Sequence, residues 1–409
     1  MARERLVVGI DVGTTKICTL IARVTDDEQL EVIGAGVTRS EALRKGVVVS
    51  IDEAAQAIQS SVAKAEQQSG FKIISAYVTV SGSHLQTDEA HGAITLRRSD
   101  RPISEDDVAR VVDAARAVSL PTDREIIDLI PRHFAVDGQP EIASPVGMLG
   151  SRLEVQATLV SGARNAIQNL TNCVERAGVS IDALVPQVLA AGEAVLTPAE
   201  RDLGVVLVDL GGGTTDIGVF GEGSLVYATV LAVGGQLVTN DIAVRLRTPF
   251  SAAEEIKVRH GQAFSNGREE DRVIDVSSFE TDESTAVSVR TLCDTIEDRL
   301  VDTFERVHQR LLRAGFETSQ PAGTVLAGGT AQLQGIRRLA AEVLESPVRI
   351  GTPGGLVGAS EQLNNPSFAA SVGLLRWGLR HADEGGGAAS SPLGGAVGSL
   401  ANWLRGFLP

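Results

Sequence analysis

Two stretches of the sequence follow one pattern: Val8-Gly-Ile-Asp11-Val-Gly13-Thr14-Thr15-Lys16 and Leu207-Val-Asp209-Leu-Gly211-Gly212-Gly213-Thr214-Thr215-Asp216. Each has an apolar strand-like run, an aspartate at its end, glycines, a Thr-Thr pair and a second apolar run. A pattern that recurs in the two halves of a chain indicates duplicated domains. We therefore predict two similar domains that face each other across a cleft.

These residue types suit the binding of a phosphate chain. Glycines let backbone N–H groups converge on an anion, and threonine hydroxyls add further donors. Lys16 would supply positive charge, and Asp11 and Asp209 would hold Mg²⁺, mostly through water. A third run, Val325-Leu-Ala-Gly328-Gly329-Thr330, ends in small residues that would let a flat base lie against the backbone. The sequence therefore predicts a nucleotide site built from three loops.

Taken singly, each of these runs is also typical of an ordinary turn or helix cap. Three of them in this order favour nucleotide binding instead. The chain has no GxxxxGK[ST] motif, and no GxGxxG lies between a strand and a helix. These absences argue against a P-loop NTPase and against a dinucleotide-binding Rossmann site.

Bulk properties exclude several other classes of protein. The formal net charge is −15, which disfavours nucleic acid as a partner. The three cysteines, Cys18, Cys173 and Cys293, are far apart and form no CxxC pair. That spacing argues against a disulfide framework or a zinc site and favours a reducing compartment. No apolar run reaches the roughly 18 residues of a membrane span.

Strand-like and helix-like runs alternate along much of the chain, which indicates an α/β fold. Ser50 and Glu53 have capping-box spacing before a helix at 53–68. Residues 84–163 depart from this rhythm, with strand-like pieces around a helix predicted over Ser104–Val118. We interpret them as an inserted α+β subdomain. Residues 265–284 are polar and acidic, which is typical of a solvated loop or small subdomain.

Several stretches beyond the loops resemble the FtsA family of bacterial cell-division proteins, within the actin, Hsp70 and sugar-kinase superfamily. The resemblance covers nearly the whole chain, and the three loops match the superfamily's phosphate-1, phosphate-2 and adenosine motifs. The telling stretches are Gly-Thr-Thr-Lys (13–16), Val-Ser-Gly-Ser-His (80–84), Val-Gly-Met-Leu-Gly (146–150), Asn-Cys-Val-Glu-Arg-Ala-Gly (172–178) and Val-Gly-Gly-Gln-Leu-Val-Thr-Asn-Asp-Ile-Ala (233–243).

The resemblance implies a two-lobed actin-like fold with duplicated ribonuclease-H-like domains, an inserted subdomain 1C and a C-terminal amphipathic helix. Subdomain 1A would comprise 1–83, 164–200 and 360–383, with 1C at 84–163. Subdomain 2A would comprise 201–249 and 300–359, with 2B at 250–299. A flexible linker would follow at 384–395, and a membrane-targeting helix at 396–409.

The resemblance also implies roles for individual residues. Contacts to phosphate and metal would come from Asp11, Gly13, Thr14, Thr15, Lys16, Asp209, Gly211, Gly212, Gly213, Thr214 and Thr215. Gly234 and Gly235 would form a further phosphate-side turn, with Asn240 in the same cleft. Glu254 and Lys257 would meet the ribose and base, and Gly328, Gly329 and Thr330 the adenosine. Gln187 would either orient a water molecule for hydrolysis or simply begin a helix; both interpretations stay open.

The function that the resemblance implies is that of a cytoskeletal adaptor rather than an enzyme. The protein would bind ATP and Mg²⁺, hydrolyse ATP slowly or not at all, and assemble into filaments. It would bind the C-terminal peptide of the tubulin-like protein FtsZ through 250–299, and other division proteins through 84–163. Its place would be the cytoplasmic face of the inner membrane, as a peripheral protein at the division site.

The predicted tail helix presents one apolar face. Its members are Val397, Leu400, Trp403, Leu404, Phe407 and Leu408, and Ser399, Asn402 and Arg405 lie on the opposite face. Such a helix suits the headgroup region of a bilayer. Arg405 is the helix's one basic residue and Gly398 and Gly406 lower helix propensity, so a single tail over 396–408 would bind lipid weakly. A filament that presents many tails would gain avidity.

Three other functions remain open at this point. A sugar or small-acid kinase of the same superfamily would need a catalytic base and a substrate pocket, for which the sequence shows no motif. An Hsp70-like chaperone would need a peptide-binding domain, and the chain after Asp383 is too short to form one. A pilus-assembly relative of FtsA would share much of the fold. Binding of the FtsZ peptide distinguishes this last alternative.

Overall fold

The computed structural model describes residues 5–96, 100–264, 272–277, 284–358 and 361–381. Within those ranges the chain forms two α/β lobes and a smaller α+β insert, each with its own sheet. The two-lobed α/β architecture predicted from the repeated motif is confirmed. The predicted linker and membrane helix, 384–409, lie outside the described residues.

The secondary structure elements follow one another in this order. The strands are β1 (Leu6–Val12), β2 (Lys16–Val24), β3 (Leu30–Arg39), β4 (Leu43–Arg44), β5 (Val47–Val48), β6 (Ser75–Val80), β7 (Gln86–Thr95), β8 (Arg124–Val136), β9 (Gln139–Ile142), β10 (Arg152–Ala163), β11 (Ser180–Pro186), β12 (Val205–Leu210), β13 (Thr215–Gly221), β14 (Ser224–Leu231), β15 (Val273–Ser277), β16 (Ser284–Ser288), β17 (Thr324–Ala327), β18 (Val348–Ile350) and β19 (Val357–Gly358). The helices are α1 (Ile51–Ser69), α2 (Glu105–Arg116), α3 (Arg164–Arg176), α4 (Gln187–Val195), α5 (Pro198–Leu203), α6 (Gly235–Leu246), α7 (Phe250–His260), α8 (Val289–Arg313), α9 (Ile336–Val343) and α10 (Ala369–His381). Short 3₁₀ turns cover Gly329–Gln332 and Pro366–Phe368.

The two lobes repeat one strand arrangement. Lobe I holds the sheet β11-β6-β1-β2-β3-β19, and lobe II holds the sheet β14-β13-β12-β17-β18. In each lobe the motif strand is antiparallel to the next strand and parallel to a later one: β1 pairs with β2 and β6, and β12 with β13 and β17. This register sets Asp11 opposite Cys18, and Asp209 opposite Asp216. The repeated motif therefore marks the same turn of the same sheet in both lobes.

The insert is the antiparallel sheet β7-β10-β8-β9, with α2 packed against it. Gly92 of β7 allows the helix to come close, since a Cβ there would overlap the carbonyl oxygen of Val111. Ser104 is the N-cap of α2 and forms a capping box with Asp107. The helix therefore begins at Glu105, and it ends at Arg116 rather than at the predicted Val118. Of the apolar residues expected to share its inner face, Val108, Val111, Val112 and Ala115 are buried. Val118, which was also expected there, lies beyond the end of the helix and is exposed.

The insert also contacts lobe II, although the chain enters and leaves it from lobe I. The hydroxyl of Thr87 donates to the carbonyl of Ala228 at 2.6 Å and accepts from the N–H of the same residue at 3.0 Å. The side chain of Arg132 donates to Glu222 at 3.3 Å. Because Ala228 lies in β14, the insert connects lobe I to the outer strand of the lobe II sheet.

The structure corrects one local prediction and narrows another. Ser50 does cap α1 by accepting from the N–H of Glu53 at 3.4 Å. Its own N–H donates to the carbonyl of Ala42 at 3.4 Å, in place of the Glu53 side chain that a capping box requires. The polar stretch 265–284 contributes the strand β15, which forms a hairpin with β16 on lobe II. Of the two interpretations of this stretch, a solvated loop or a small subdomain, the paired strands favour the small subdomain.

Helices α4 and α10 cross where the two lobes meet. Their buried residues belong to one apolar core that also includes Leu20 of lobe I and Phe220 of lobe II. Gly373 of α10 lies against α4 so closely that a Cβ would overlap the carbonyl oxygen of Ala190. The chain is therefore back in lobe I from β19 onward, and α10 packs against α4 where the two lobes meet. No helix in the described ranges is both long enough and apolar enough to cross a membrane.

We expect Gly373→Ala to lower the free energy of unfolding by about 1–3 kcal/mol, because the added methyl group forces two packed helices apart. Urea denaturation followed by circular dichroism measures the change. Gly354→Ala is the matched control, since nothing lies within 4 Å of the Cβ position at Gly354. Equal stability of the two variants would contradict the close helix contact.

Candidate functional site

A cavity of about 620 Å³ lies between the lobes, and all three loops predicted from the sequence line it. Loop 1 (Asp11–Lys16) comes from lobe I. Loop 2 (Asp209–Asp216) and loop 3 (Gly328–Thr330) come from lobe II. Residues of α7 and of the segment before α10 complete the wall. The two copies of the duplicated motif therefore face each other across one cavity.

Loops 1 and 2 are tight turns of the same construction. The N–H of Gly13 donates to the carbonyl of Lys16 at 3.1 Å, and the N–H of Gly211 donates to the carbonyl of Thr214 at 2.9 Å. The two loops also touch one another. A Cβ at Gly213 would lie 2.6 Å from Oγ1 of Thr14, too close for any other residue type. Glycine is needed here because the backbone of loop 2 packs directly against the Thr14 side chain of loop 1.

Three buried carboxylates surround this contact. Asp11 accepts hydrogen bonds from Thr79 and Ser371, and Asp209 accepts one from Nε2 of Gln187 at 3.3 Å. Asp216 accepts from the hydroxyl of Ser81 at 2.7 Å, and that bond joins the lobes. Because like charges collect where water is scarce, the protonation of Asp209 and Asp216 is perturbed.

The pKa values of two of these groups rise strongly. Burial raises the pKa of Asp209 to about 8, and the neighbouring carboxylates of Asp216 and Asp11 add to the effect. Burial also raises the pKa of Asp216 to about 7, although hydrogen bonds from Ser81 and Thr214 oppose the rise. Uncompensated negative charge of this kind suits a divalent cation.

The donor set fits Mg²⁺ held partly through water. Across the described ranges, no three His, Cys, Asp or Glu side chains come close enough to hold a metal by themselves. Mg²⁺ needs no such cage, because it keeps several waters and shares phosphate oxygens. Asp11 and Asp209 are the carboxylates of loops 1 and 2 that line the cavity. They are therefore the residues that would face the hydrated ion.

Lys16 lies half-buried beside these acids. Its ammonium group donates to the carbonyl of Ser367 at 2.6 Å and lies 3.6 Å from the centre of the Phe368 ring. Burial lowers the pKa of Lys16, and the charge of Asp11 opposes that shift. The lysine is thus a positive group with a defined direction at the edge of loop 1.

A second lysine organises the lobe II side of the cavity. Nζ of Lys257 donates to the carbonyl of Gly235 at 3.2 Å, to Thr239 at 2.8 Å and to Glu254 at 2.7 Å. Thr330 of loop 3 donates to the carbonyl of Gly211 at 3.1 Å. These bonds join the start of α6, helix α7 and loops 2 and 3 into one wall.

Comparison with known proteins agrees with this architecture. A family model described as "Cell division protein FtsA" matches residues 206–373, and one described as "SHS2 domain inserted in FTSA" matches residues 82–161. The cell division protein FtsA of Pseudomonas aeruginosa is 40% identical over 381 residues, which cover 93% of this chain and 91% of that protein. The chain belongs to the FtsA family.

A second member of the family supports this assignment, and more distant structures show the fold. FtsA of Escherichia coli K12 is 33% identical over 413 residues and covers 98% of each chain. A solved PilM-PilN type IV pilus biogenesis complex has a TM-score of 0.64 at 16% identity, covering 91% of this chain and 98% of its own. MreB5 of Spiroplasma citri bound to ADP has a TM-score of 0.56 at 13% identity, covering 93% and 98%. These structures show the fold, which is actin-like with the SHS2 insert of FtsA, as predicted.

Most of the residues that the FtsA resemblance singled out come together at the cavity. Those that line it are Asp11, Gly13, Thr14, Thr15, Lys16, Gln187, Asp209, Gly211, Gly212, Thr214, Gly235, Glu254, Lys257, Gly328, Gly329 and Thr330. Gly213, Thr215 and Gly234 lie directly behind this wall, where Thr215 donates to the carbonyl of Val233. Asn240 is exposed on α6 and does not line the cavity. Gln187 is the first residue of α4, and its side chain also donates to Asp209 at the cavity. The helix-start interpretation is therefore compatible with a role in orienting water.

Sequence reasoning missed several residues of the site. Ser81 lines the cavity, and Thr79, Ser367 and Ser371 contact the charged residues of loop 1. Ser81 lies in the stretch 80–84 that carried part of the FtsA resemblance, so a signal for it existed. Ser371 has no comparable signal, because it is one hydroxyl within an apolar helix.

The raised pKa of Asp209 predicts a pH-dependent stability in the protein without nucleotide or Mg²⁺. The folded state keeps a proton that the unfolded state loses above the ordinary value of 3.8. Stability should therefore fall as the pH rises towards about 8. The charged groups that face Asp209 are Asp216, Asp11 and Lys16.

We expect Asp209→Asn to flatten this decline by up to one proton equivalent, about 1.4 kcal/mol per pH unit, and to be more stable than wild type at pH 9. Urea unfolding between pH 5 and pH 9 in EDTA measures the slope. Asp26→Asn, at an exposed turn, is the control. An unchanged slope in Asp209→Asn would contradict the raised pKa.

Proposed function

We propose that this member of the FtsA family binds ATP and Mg²⁺ between its lobes, assembles with itself, and holds the FtsZ ring at the cytoplasmic face of the inner membrane. The observation that carries the proposal is the contact of two glycine-threonine loops, one from each lobe, beside buried carboxylates and a half-buried lysine. Family membership adds the setting of cell division.

Each part of the cavity has a role in this proposal. Backbone N–H groups of loops 1 and 2, with the hydroxyls of Thr14, Thr15 and Thr214, would donate to phosphate oxygens. Lys16 would add charge, and Asp11 and Asp209 would hold the hydrated cation. Bound Mg²⁺ would supply neutralisation of the phosphate charge. The ribose and base would meet Glu254, Lys257 and loop 3. Structures of MreB5 from Spiroplasma citri bound to ADP and to AMPPNP, on the same fold, support adenine nucleotides as ligands.

Hydrolysis is a secondary property in this proposal. Gln187 donates to Asp209 and faces the cavity, so it would orient a water molecule near the terminal phosphate. Turnover would be slow or absent, because the bound nucleotide serves chiefly to close the lobes for assembly. The protein therefore acts as an ATP-dependent adaptor.

Three regions of the chain would bind partners. Region 250–299 would take the FtsZ C-terminal peptide, and α7 at its start exposes Phe250. Region 84–163 would meet later division proteins, and its loop exposes Leu149 with 61% of its surface free. Residues 396–408 would bind lipid, weakly for one chain and firmly for a filament. The protein would then sit at the division site as a peripheral membrane protein.

The proposal predicts that Lys16→Gln weakens ATP binding by about 10- to 100-fold, since a charge-assisted hydrogen bond to phosphate is lost. Isothermal calorimetry with ATP and Mg²⁺ measures the dissociation constant. Lys64→Gln is the matched control, because Lys64 also donates to a backbone carbonyl, that of Val37 at 2.7 Å, but on an exposed face of α1. A wild-type chain that binds no adenine nucleotide would refute the nucleotide proposal.

A flotation experiment tests the membrane and FtsZ parts together. Full-length protein with ATP should carry fluorescent FtsZ upward with liposomes, and a chain truncated after Asp383 should leave both proteins below. Trp403→Glu should reduce flotation because it places a charge on the apolar face, whereas Asn402→Glu on the polar face should not. If the full chain floats without FtsZ, the FtsZ partnership fails and a pilus-type role gains support. If the full chain does not float, the membrane proposal fails.

A further inference from the structure

The segment Pro366–Ser371, just before and within the first turn of α10, touches loops from both lobes. The carbonyl of Pro366 accepts the N–H of Gly328 in loop 3 at 2.9 Å. The carbonyl of Ser367 accepts from Lys16, and the hydroxyl of Ser371 donates to Asp11 at 2.7 Å. No motif in the sequence pointed to this segment. It nevertheless contacts both charged residues of loop 1.

The carboxylate of Asp11 is held on both of its oxygens. Oδ2 accepts from Ser371, and Oδ1 accepts from the hydroxyl of Thr79 at 3.0 Å. The oxygen of the Thr79 hydroxyl accepts the N–H of Val12 at 2.9 Å, so the hydroxyl proton points at Asp11. All three side chains are buried, and Ser371 has 0% of its surface exposed. The carboxylate therefore has one orientation.

That orientation has a consequence for a cation. Each oxygen of Asp11 already accepts a hydroxyl proton. A cation in the cavity, or a water bound to it, would therefore interact with the lone pairs that remain on these oxygens. Groups that orient a metal-binding carboxylate in this way commonly set the affinity for the metal. They do so without touching the metal or the phosphate themselves.

We propose that Pro366–Ser371 is a fourth functional segment of the site, in which Ser371, together with Thr79, positions Asp11 for the hydrated Mg²⁺ of a bound nucleotide. Ser371 is thus a positioning residue. The same segment holds Lys16 through the Ser367 carbonyl and the Phe368 ring. One segment would therefore align both Asp11 for the cation and Lys16 for the phosphate. This inference rests on the nucleotide binding proposed above.

A purely structural role for Ser371 predicts a different outcome. If the hydroxyl only stabilised the packing of α10, its loss would weaken nucleotide binding equally with and without Mg²⁺. A positioning role predicts a loss confined to the Mg²⁺-dependent part of the affinity. The quantity that separates the two is the ratio of ATP affinities in Mg²⁺ and in EDTA.

The experiment measures binding of a fluorescent ATP analogue to the full chain in excess Mg²⁺ and in EDTA. We expect Ser371→Ala to lower the Mg²⁺ enhancement by about 10- to 100-fold while the affinity in EDTA stays close to wild type. Thr79→Ser, which keeps the hydroxyl, should retain the wild-type ratio. Thr79→Val removes the other donor and should lower the ratio as well, which provides a second test if Ser371→Ala does not fold.

Ser61→Ala is the matched control. Ser61 and Thr19 form a buried hydroxyl pair at 2.7 Å in lobe I, and neither lines the cavity. Its loss should leave the ratio unchanged. A wild-type ratio in Ser371→Ala, or an equal loss of affinity in Mg²⁺ and in EDTA, would overturn the inference. Failure of the wild-type chain itself to bind the analogue in either condition would instead refute the proposed function, and the inference with it.

Discussion

Mutual repulsion among Asp11, Asp209 and Asp216 is the constraint around which the centre of the molecule is built. Duplication places an equivalent aspartate at the end of β1 and of β12, and the antiparallel register adds Asp216 beside the second. Three acids in one buried volume are costly unless donors surround them or a cation arrives. Hydroxyl and amide donors from β6, α4 and α10 meet that need, and each comes from a different part of the chain. The charges of these carboxylates therefore define the cavity more than its shape does.

The second requirement is a close approach of the loop 2 backbone to the threonine side chains of loop 1, and glycine permits it. Loops 1 and 2 can touch only because Gly212 and Gly213 have no side chain to collide with Thr15 and Thr14. The same device recurs away from the cavity, at Gly373 between the two helices that join the lobes. A change in the angle between the lobes would alter both contacts at once. Whatever binds between the loops is thus coupled to the packing of α4 and α10.

The sequence predicted those features of the fold that depend on short-range patterns of residues. The repeated turns, the amphipathic α2 and the interruption at residue 84 are each legible within about twenty residues, since strand and helix periods are short-range signals. The positions of most loop residues follow from the same repeat. The partners of Asp11 do not, because Thr79 and Ser371 are single hydroxyls within apolar runs, and Ser371 lies 360 positions away. Only the folded register brings them together. Ser50 illustrates the same limit on a smaller scale, because Ala42 takes the N–H that the capping pattern assigned to Glu53.

The contact between Thr87 and Ala228 bears on how copies of this protein avoid unwanted association. β14 is the outer strand of the lobe II sheet, and an unpaired strand edge is an open template for another chain. One hydroxyl from the insert occupies both the N–H and the carbonyl of Ala228, as a neighbouring strand would. The insert thereby works as a cover for that edge. A second copy of the chain is therefore hindered from extending the sheet at this strand, which leaves any association to other faces.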